Sequence, residues 1–313
     1  MVVYTALDRD FSETIFDKFT EETGILVRAK YDTESTKTVN LTNALIEEAN
    51  RPRCDLFWNN EILNTLRLHR RGLLAPFTPP IAATYPQEYR SPNGFWHGFA
   101  ARARVLIVNN ELVPVEEQPS SILSLADPKW KSRMGMAKPL FGTTATHAAV
   151  LFHYWGAERA KQFFAEVQAN VKVMAGNKRV AVAVSRGQLA WGITDTDDAM
   201  IEIEAGHPVR IVFPDQDEDQ MGTLFIPNSL GLLRSSPNPD AAKQLVCFLL
   251  SPEVEALLAK GPSAQMPLGP AVGVASRVPG MDAARSMTVD FEEAANSWNQ
   301  ASEYLHELFY TAE

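Results

Sequence analysis

Short apolar runs alternate with segments of helical period along nearly the whole chain. MVVYTAL (1–7) reads as a strand. Phe11, Ile15, Phe16 and Phe19 then recur at helical spacing, and Gly24 supplies a stop. ILVRAKY (25–31) is a second strand. A helix over about 36–50 carries Val39, Leu41, Leu45 and Ile46 on its apolar side. CDLFW (54–58) is a buried strand, followed by a helix over about 60–71 that stops at Gly72. This β-α-β-α-β-α order predicts an α/β fold, with a parallel sheet flanked by helices. A Pro-rich stretch (75–92) and a long extended segment, HGFAARARVLIVNN (97–110), separate this series from a second one. The second series opens at MGMAKP (134–139), with helices from about 143 and 157 and a strand VKVMA. A helix from about 178, a strand LAWGIT (189–194), a helix from about 196 and a strand VRIVF (209–213) follow. The strands LFIP and SLGLLRS then lead to helices over 239–250 and 252–259. The last 25 residues read as helical, with Phe291, Ala294, Trp298, Ala301, Leu305 and Leu308 on one side. Two α/β series joined by extended segments predict two lobes with a ligand cleft between them.

Composition narrows the function classes. The 313 residues carry 29 Lys+Arg against 38 Asp+Glu, a net charge of −9 without a basic cluster, which argues against nucleic-acid binding. No apolar run reaches the length of a membrane span. The two cysteines, Cys54 and Cys247, sit in apolar runs and read as buried small hydrophobes rather than a disulfide or zinc site. Met1 is followed at once by a core-like strand. That start fits either a cytoplasmic chain or one whose signal peptide has been removed.

No nucleophile elbow, HExxH, phosphate loop or dinucleotide fingerprint occurs, and the six histidines show no metal-ligand spacing. Asp215, Asp217 and Asp219 begin like a calcium loop, but Gln220 and Ile226 stand where glycine and the closing glutamate belong, so a solvated acidic loop is expected. The chemistry-bearing residues instead follow predicted strands: Thr5–Asp8, Asn59–Glu61, Gly142–Thr144, Asn177–Arg179 and Thr194–Asp198. FGTTAT (141–146) opens a helix whose free N–H groups suit an anion; an ordinary cap by Thr143 explains the same residues. Arg102 and Arg104 share a strand face, and an arginine fork suits phosphate or carboxylate, although a structural ion pair is the plainer role. TDTDDA (194–199) places three carboxylates at a strand-to-helix turn. Asp195 suits the N-cap and Asp198 the first turn, which leaves Asp197 for a cation, an ammonium or hydroxyl donors. Asp8 is either an N-cap or a partner to that site, and Trp58 either lines a cleft or packs.

Several strings, in order and spacing, carry a resemblance. They are VVYTALDRD with FTEETGI, CDLFWNNEILNTLRLHRRGLLAPF, DPKWKSRMGMAKP, and SSPNPDAAKQLVCFLLSPEVEALLA followed by AQMPLGP. Together they resemble the ferric-ion-binding branch of bacterial periplasmic solute-binding proteins, the receptors of ABC importers. The resemblance implies a two-lobed periplasmic-binding-protein fold of type II, each lobe a mixed sheet flanked by helices, closing on ligand by hinge motion. It places residues 1–102 with 227–277 in one lobe and 103–226 with 278–313 in the other, with crossovers near 101–103 and 225–227. It implies a periplasmic receptor without catalytic residues or cofactor, acting as a monomer with a membrane permease as partner.

The iron-binding residues carry over poorly. Thr196 and Asp197 stand where iron-binding members carry adjacent tyrosines, Asp8 replaces a first-strand histidine, and Asn60 or Glu61 falls at the acidic ligand. No tyrosine stands near these positions in sequence, whereas the anion side is retained. The expected ligand-binding set is therefore Asp8, Trp58, Asn60, Glu61, Arg102, Arg104, Gly142, Thr143, Thr144, Asn177, Thr196 and Asp197. No metal is expected; Asp8, Glu61, Asp195 and Asp197 are the set that would hold one. The favoured solute is a small oxygen-rich anion such as an organophosphate or aminophosphonate. The alternatives are a ferric-ion or other metal receptor, and a cytoplasmic α/β enzyme on a phosphorylated substrate.

Overall fold

The computed structural model describes residues 1–32, 38–269 and 274–310. The chain forms β1 (Val2–Thr5), α1 (Arg9–Thr23), β2 (Arg28–Tyr31), α2 (Val39–Glu47), β3 (Leu56–Asn59) and α3 (Leu63–Arg70), then the long β4 (His97–Asn109). Next come β5 (Met134–Ala137), α4 (Gly142–Trp155), α5 (Ala157–Asn170), β6 (Lys172–Met174), α6 (Asn177–Ser185), β7 (Trp191–Asp195), α7 (Thr196–Glu204) and β8 (Val209–Val212). β9 (Phe225–Leu232), α8 (Pro239–Leu249), α9 (Pro252–Lys260), α10 (Phe291–Ala294) and α11 (Trp298–Tyr310) complete it. Positions 36–37 of the second expected helix and 311–313 of the last lie outside the described residues. LFIP and SLGLLRS, read as two strands, are one: all eight residues of β9 are buried, and polar Asn228 and Ser229 interrupt the apolar pattern without interrupting the strand.

Two compact units result: Met1–Ala101 with Pro227–Ala275 (unit 1), and Arg102–Ile226 with Ser276–Glu313 (unit 2). In unit 1, β1 pairs in parallel with β2 and β3, and β3 pairs antiparallel with β9. Side chains alternate across this sheet. Val3, Leu56 and Trp58 face one apolar cluster with Ile15, Phe16 and Phe19 of α1 and with α8 and α9. Tyr4 and Phe57 face the other, with Leu41 and Leu45 of α2 and Leu68 of α3. Helical period governs α8 in the same way: Ala242, Leu245, Val246 and Leu249 are buried. Cys247, expected inside, is exposed on the opposite side, because a run of six apolar residues wraps around a helix; Cys54 is buried, and both thiols are free.

In unit 2, β4 pairs antiparallel with β7 and β8, and β5 pairs in parallel with β6 and β7. Every residue of β4 is buried, which requires cover on both faces. Helix α4 is buried through Phe152, so it needs no amphipathic pattern. Gly135 and Gly192 are register partners on β5 and β7, beneath α6. A Cβ at Gly192 would meet Val180 of α6 and approach the carbonyl oxygen of Gly135 to 2.8 Å. Gly192→Ala is therefore expected to cost about 1–3 kcal/mol by overpacking and to push out α6, whose first residue is Asn177. Urea unfolding followed through Trp130 and Trp191, which meet edge to face at 5.9 Å, measures this; an unchanged midpoint would refute it.

Candidate functional site

Three helices of unit 2 begin beside one another at the ends of its strands: α4 at Gly142, α6 at Asn177 and α7 at Thr196. Their first residues are tied together by a buried polar network. Arg104 Nη1 donates to Asp195 Oδ1 at 2.6 Å and to Thr143 Oγ1 at 3.3 Å, and Nη2 donates to Thr144 Oγ1 at 3.2 Å. Thr143 Oγ1 donates to Asp195 Oδ2 at 2.5 Å. Asn177 Nδ2 donates to the same carboxylate oxygen at 3.0 Å and to Thr143 at 2.9 Å, while Thr144 donates to Asn177 Oδ1 at 3.1 Å. Arg104 is fully buried and Asp195 nearly so. A buried charge of either sign needs this density of partners. Asp195 stands at the N-cap position of α7 but makes no side-chain cap, and Thr143 lies one residue inside α4, so neither performs the capping its sequence position suggested. Both side chains are engaged in the network instead.

None of the three helices has a side-chain N-cap. The residue before each helix thus leaves the first-turn N–H groups uncapped by its own side chain, and Asp198 N donates to Asp197 Oδ1 at 3.1 Å. Gly142 has φ +56°, and nothing lies within 4 Å of where its Cβ would be. Among the first residues of these three helices, Gly142 alone has a left-handed backbone with room for a Cβ. Arg102 Nη1 meets Asp197 Oδ2 at 3.2 Å. Thr196 Oγ1 accepts the Ala103 N–H at 3.2 Å, which ties α7 to β4. Asp195, Asp197 and Asp198 can each bring one oxygen to within 4.8 Å of the others. Two of these three carboxylates already hold a guanidinium.

His147, one turn into α4, is buried. The structure places it against an apolar pocket formed by Ile122, Leu125, Met136, Phe163, Phe164 and Ile193, next to Arg104. Burial, reinforced by the Arg104 charge, pushes its pKa down to about 3.

In unit 1 the expected residues divide. Trp58 is a core residue, edge-on to Phe16 with centroids 5.4 Å apart and donating Nε1 to Asn228 Oδ1 at 3.3 Å. Having no exposed surface, it packs rather than lines a site. Glu61 accepts Leu63 N at 2.6 Å and Asn64 N at 3.0 Å, capping α3, and also accepts Asn59 Nδ2 at 2.6 Å. These three donors satisfy the fully buried carboxylate. Asn60 is 2% exposed, and its Oδ1 has no hydrogen-bond partner among the described residues. Asp8 precedes α1 without a side-chain cap and is partly exposed. Tyr31 was not singled out from the sequence, yet it stands near the end of β1. Parallel pairing sets Tyr31 beside Thr5, with the Arg9 guanidinium 4.6 Å from its ring centroid. Burial pushes the Tyr31 phenol up, against a lowering from its hydrogen bond with Ser12. Only strand register could reveal this neighbour, since Tyr31 lies far from Asp8 in sequence.

Residues 64–295 match the family of bacterial extracellular solute-binding proteins. The chain belongs to that family. Iron uptake protein A1 of Synechocystis sp. is 29% identical over 269 residues, covering 82% of this chain and 73% of that protein. The ferric binding protein from Campylobacter jejuni superimposes with a TM-score of 0.89 at 23% identity, covering 99% of both chains. AfuA from Actinobacillus pleuropneumoniae, solved with exogenous fructose-6-phosphate bound, superimposes with a TM-score of 0.86 at 20% identity, covering 100% of this chain and 99% of that one. The fold of this solute-binding protein is therefore the type II periplasmic-binding-protein fold, as the sequence resemblance implied. Its family consists of binding proteins, so the polar network is to be read as a receptor's and not as catalytic machinery. Among the described residues, no helix is long and apolar enough to cross a membrane.

Proposed function

We propose that this protein is the periplasmic receptor of an ABC import system for a small oxygen-rich anionic solute, an organophosphate or aminophosphonate, which it delivers to a membrane permease. The carrying observation is the convergence of three helix N-termini without side-chain caps around Gly142, Thr143, Thr144, Asn177 and Thr196. Each N-terminus holds partial positive charge and outward N–H donors, so a phosphoryl or phosphonyl group is favoured there. Gly142 lets an oxygen approach the backbone, since no Cβ intervenes. Arg104 serves this site by fixing the three helix starts through Asp195, and Arg102 is the guanidinium offered to the solute. Asp197 and Asp198 would repel a bare anion, so the solute carries hydroxyls or an ammonium toward them.

The second reading, a ferric-ion receptor, draws on the carboxylate trio and on the likeness to iron-uptake and ferric-binding proteins. It is disfavoured here because a cation at the trio must displace Arg102 or Arg104, and because Thr196 and Asp197 offer no phenolate. A thermal-shift panel on metal-stripped protein separates the readings. It would contain ferric citrate, inorganic phosphate, 2-aminoethylphosphonate and several sugar phosphates. A solute at about a thousand times its Kd adds roughly 4 kcal/mol, a rise of several degrees. A shift with an organic phosphoryl compound that Asp197→Ala or Arg102→Ala abolishes is expected. A shift with ferric citrate alone would overturn the proposal.

A further inference from the structure

The amino-terminal edge of the unit 1 sheet carries a second cavity, at the end of the strands opposite Asn59–Glu61. Cys54 leads into β3, and antiparallel pairing of Leu56 with Leu232 brings Leu233 and Arg234 to the same edge. Helices α2 and α3 run back against the strands, so Leu45 and Leu73 arrive there as well. The cavity encloses about 50 Å³ and opens to solvent. Its floor is apolar, formed by Leu45, Cys54, Leu73 and Leu233, and its rim carries Arg53, Arg234 and Glu48.

The rim charges are not balanced within the protein. Both carboxylate oxygens of Glu48 accept from the Tyr4 hydroxyl, at 3.0 and 2.9 Å. Arg53 and Arg234 are exposed, and neither makes an ion pair or side-chain hydrogen bond with a described residue. On a chain of net charge −9, two uncommitted guanidiniums over an apolar floor are a local reversal of the prevailing charge. Guanidiniums recognise carboxylate and phosphate, and the floor recognises hydrocarbon. We infer that this cavity is a second binding site, separate from the solute site, for a small amphipathic anion: a carboxylate or phosphate monoester bearing a short apolar chain. The head group meets Arg53 and Arg234, and the chain lies on Leu45, Leu73 and Leu233.

The test is methyl NMR on the full chain with labelled leucine, titrated with hexanoate and, separately, with hexyl phosphate. The two probes distinguish a carboxylate from a phosphate head group. At least one is expected to shift the Leu45, Leu73 and Leu233 methyl signals saturably, with a Kd on the order of a millimolar for so few atoms. Hexanol and inorganic phosphate, each lacking one half of the chemistry, are expected to bind at least about tenfold more weakly. Arg53→Ala with Arg234→Ala should weaken binding by about tenfold or more, while Arg53→Lys with Arg234→Lys retains most of it. Both arginines are exposed, so an unchanged thermal midpoint verifies that the variants fold. The inference is overturned if neither probe moves these methyls, if hexanol binds as well as the anions, or if the double alanine variant binds like the parent. Because the solute site is not involved, failure here leaves the proposed function standing, and failure of that function leaves this result unaffected.

Discussion

Arg104→Ala is expected to be the most destabilising single change in unit 2. The variant leaves Asp195, 3% exposed, as a buried carboxylate deprived of its guanidinium. Breaking one side of such a pair costs roughly 3–5 kcal/mol, because the remaining charge keeps its desolvation penalty and loses its compensation. For a unit of this size that corresponds to a fall of roughly 6–20 °C in thermal midpoint. Thr143 and Thr144 lose a donor at the same time, so the starts of α4, α6 and α7 lose their common tie. Replacing both partners, Arg104→Met with Asp195→Leu, should recover much of the loss, since no charge is then left buried. Recovered stability without recovered solute binding would separate the network's packing role from its role in placing the helix N-termini. A single variant melting within about a degree of the parent would refute the account.

Acid sensitivity gives the second large effect. Folded His147 takes up a proton only near pH 3, whereas in the unfolded chain it does so near its ordinary value of about 6.5. Below pH 6.5 the unfolded state therefore binds the extra proton, and stability falls as pH falls. The loss is about 1.4 kcal/mol per pH unit from this group alone between 6.5 and about 3, and it vanishes above pH 7. Both causes act in the same direction: the pocket from Ile122 to Ile193 is apolar, and Arg104 is already cationic. His147→Leu places a hydrocarbon among hydrocarbons and should flatten the acid limb. Urea midpoints at pH 7, 6, 5 and 4 measure it. The parent should lose ground to the variant steadily as pH drops, and parallel curves would exclude His147 as the source.

Much of the fold was legible because its signals are local. The stop at Gly24 is seen in the structure as a left-handed residue whose N–H bonds to Thr20 O. Candidate site positions were legible too, since TDTDDA, FGTTAT and the two arginines each follow or lie in a strand. Their roles were not. Arg102 and Arg104 share one face by spacing, but spacing does not say which acid each meets. Strand register does: Arg104 lies opposite Asp195 in the β4–β7 ladder, and Asp197, just beyond it in α7, takes Arg102. The surroundings of Trp58 and Glu61 were not legible for a related reason. A side chain at a strand end reaches either ligand or core according to what covers the sheet, and here α1 covers Trp58 while the α3 backbone claims Glu61.

The alternation of strands and helices and the family were legible in the sequence alone. So was the concentration of small, hydroxyl and charged residues at strand ends. These follow from apolar period, turn chemistry and local order, which act over a few residues. Tertiary structure alone decided which arginine pairs with which aspartate and which carboxylate caps a helix. It also decided that Tyr31 stands beside Thr5 and that Arg53 and Arg234 meet over one apolar floor. Those are contacts between residues distant in sequence. Their energies depend on register, burial and the partners left over after packing, and none of these is a property of a short stretch of chain.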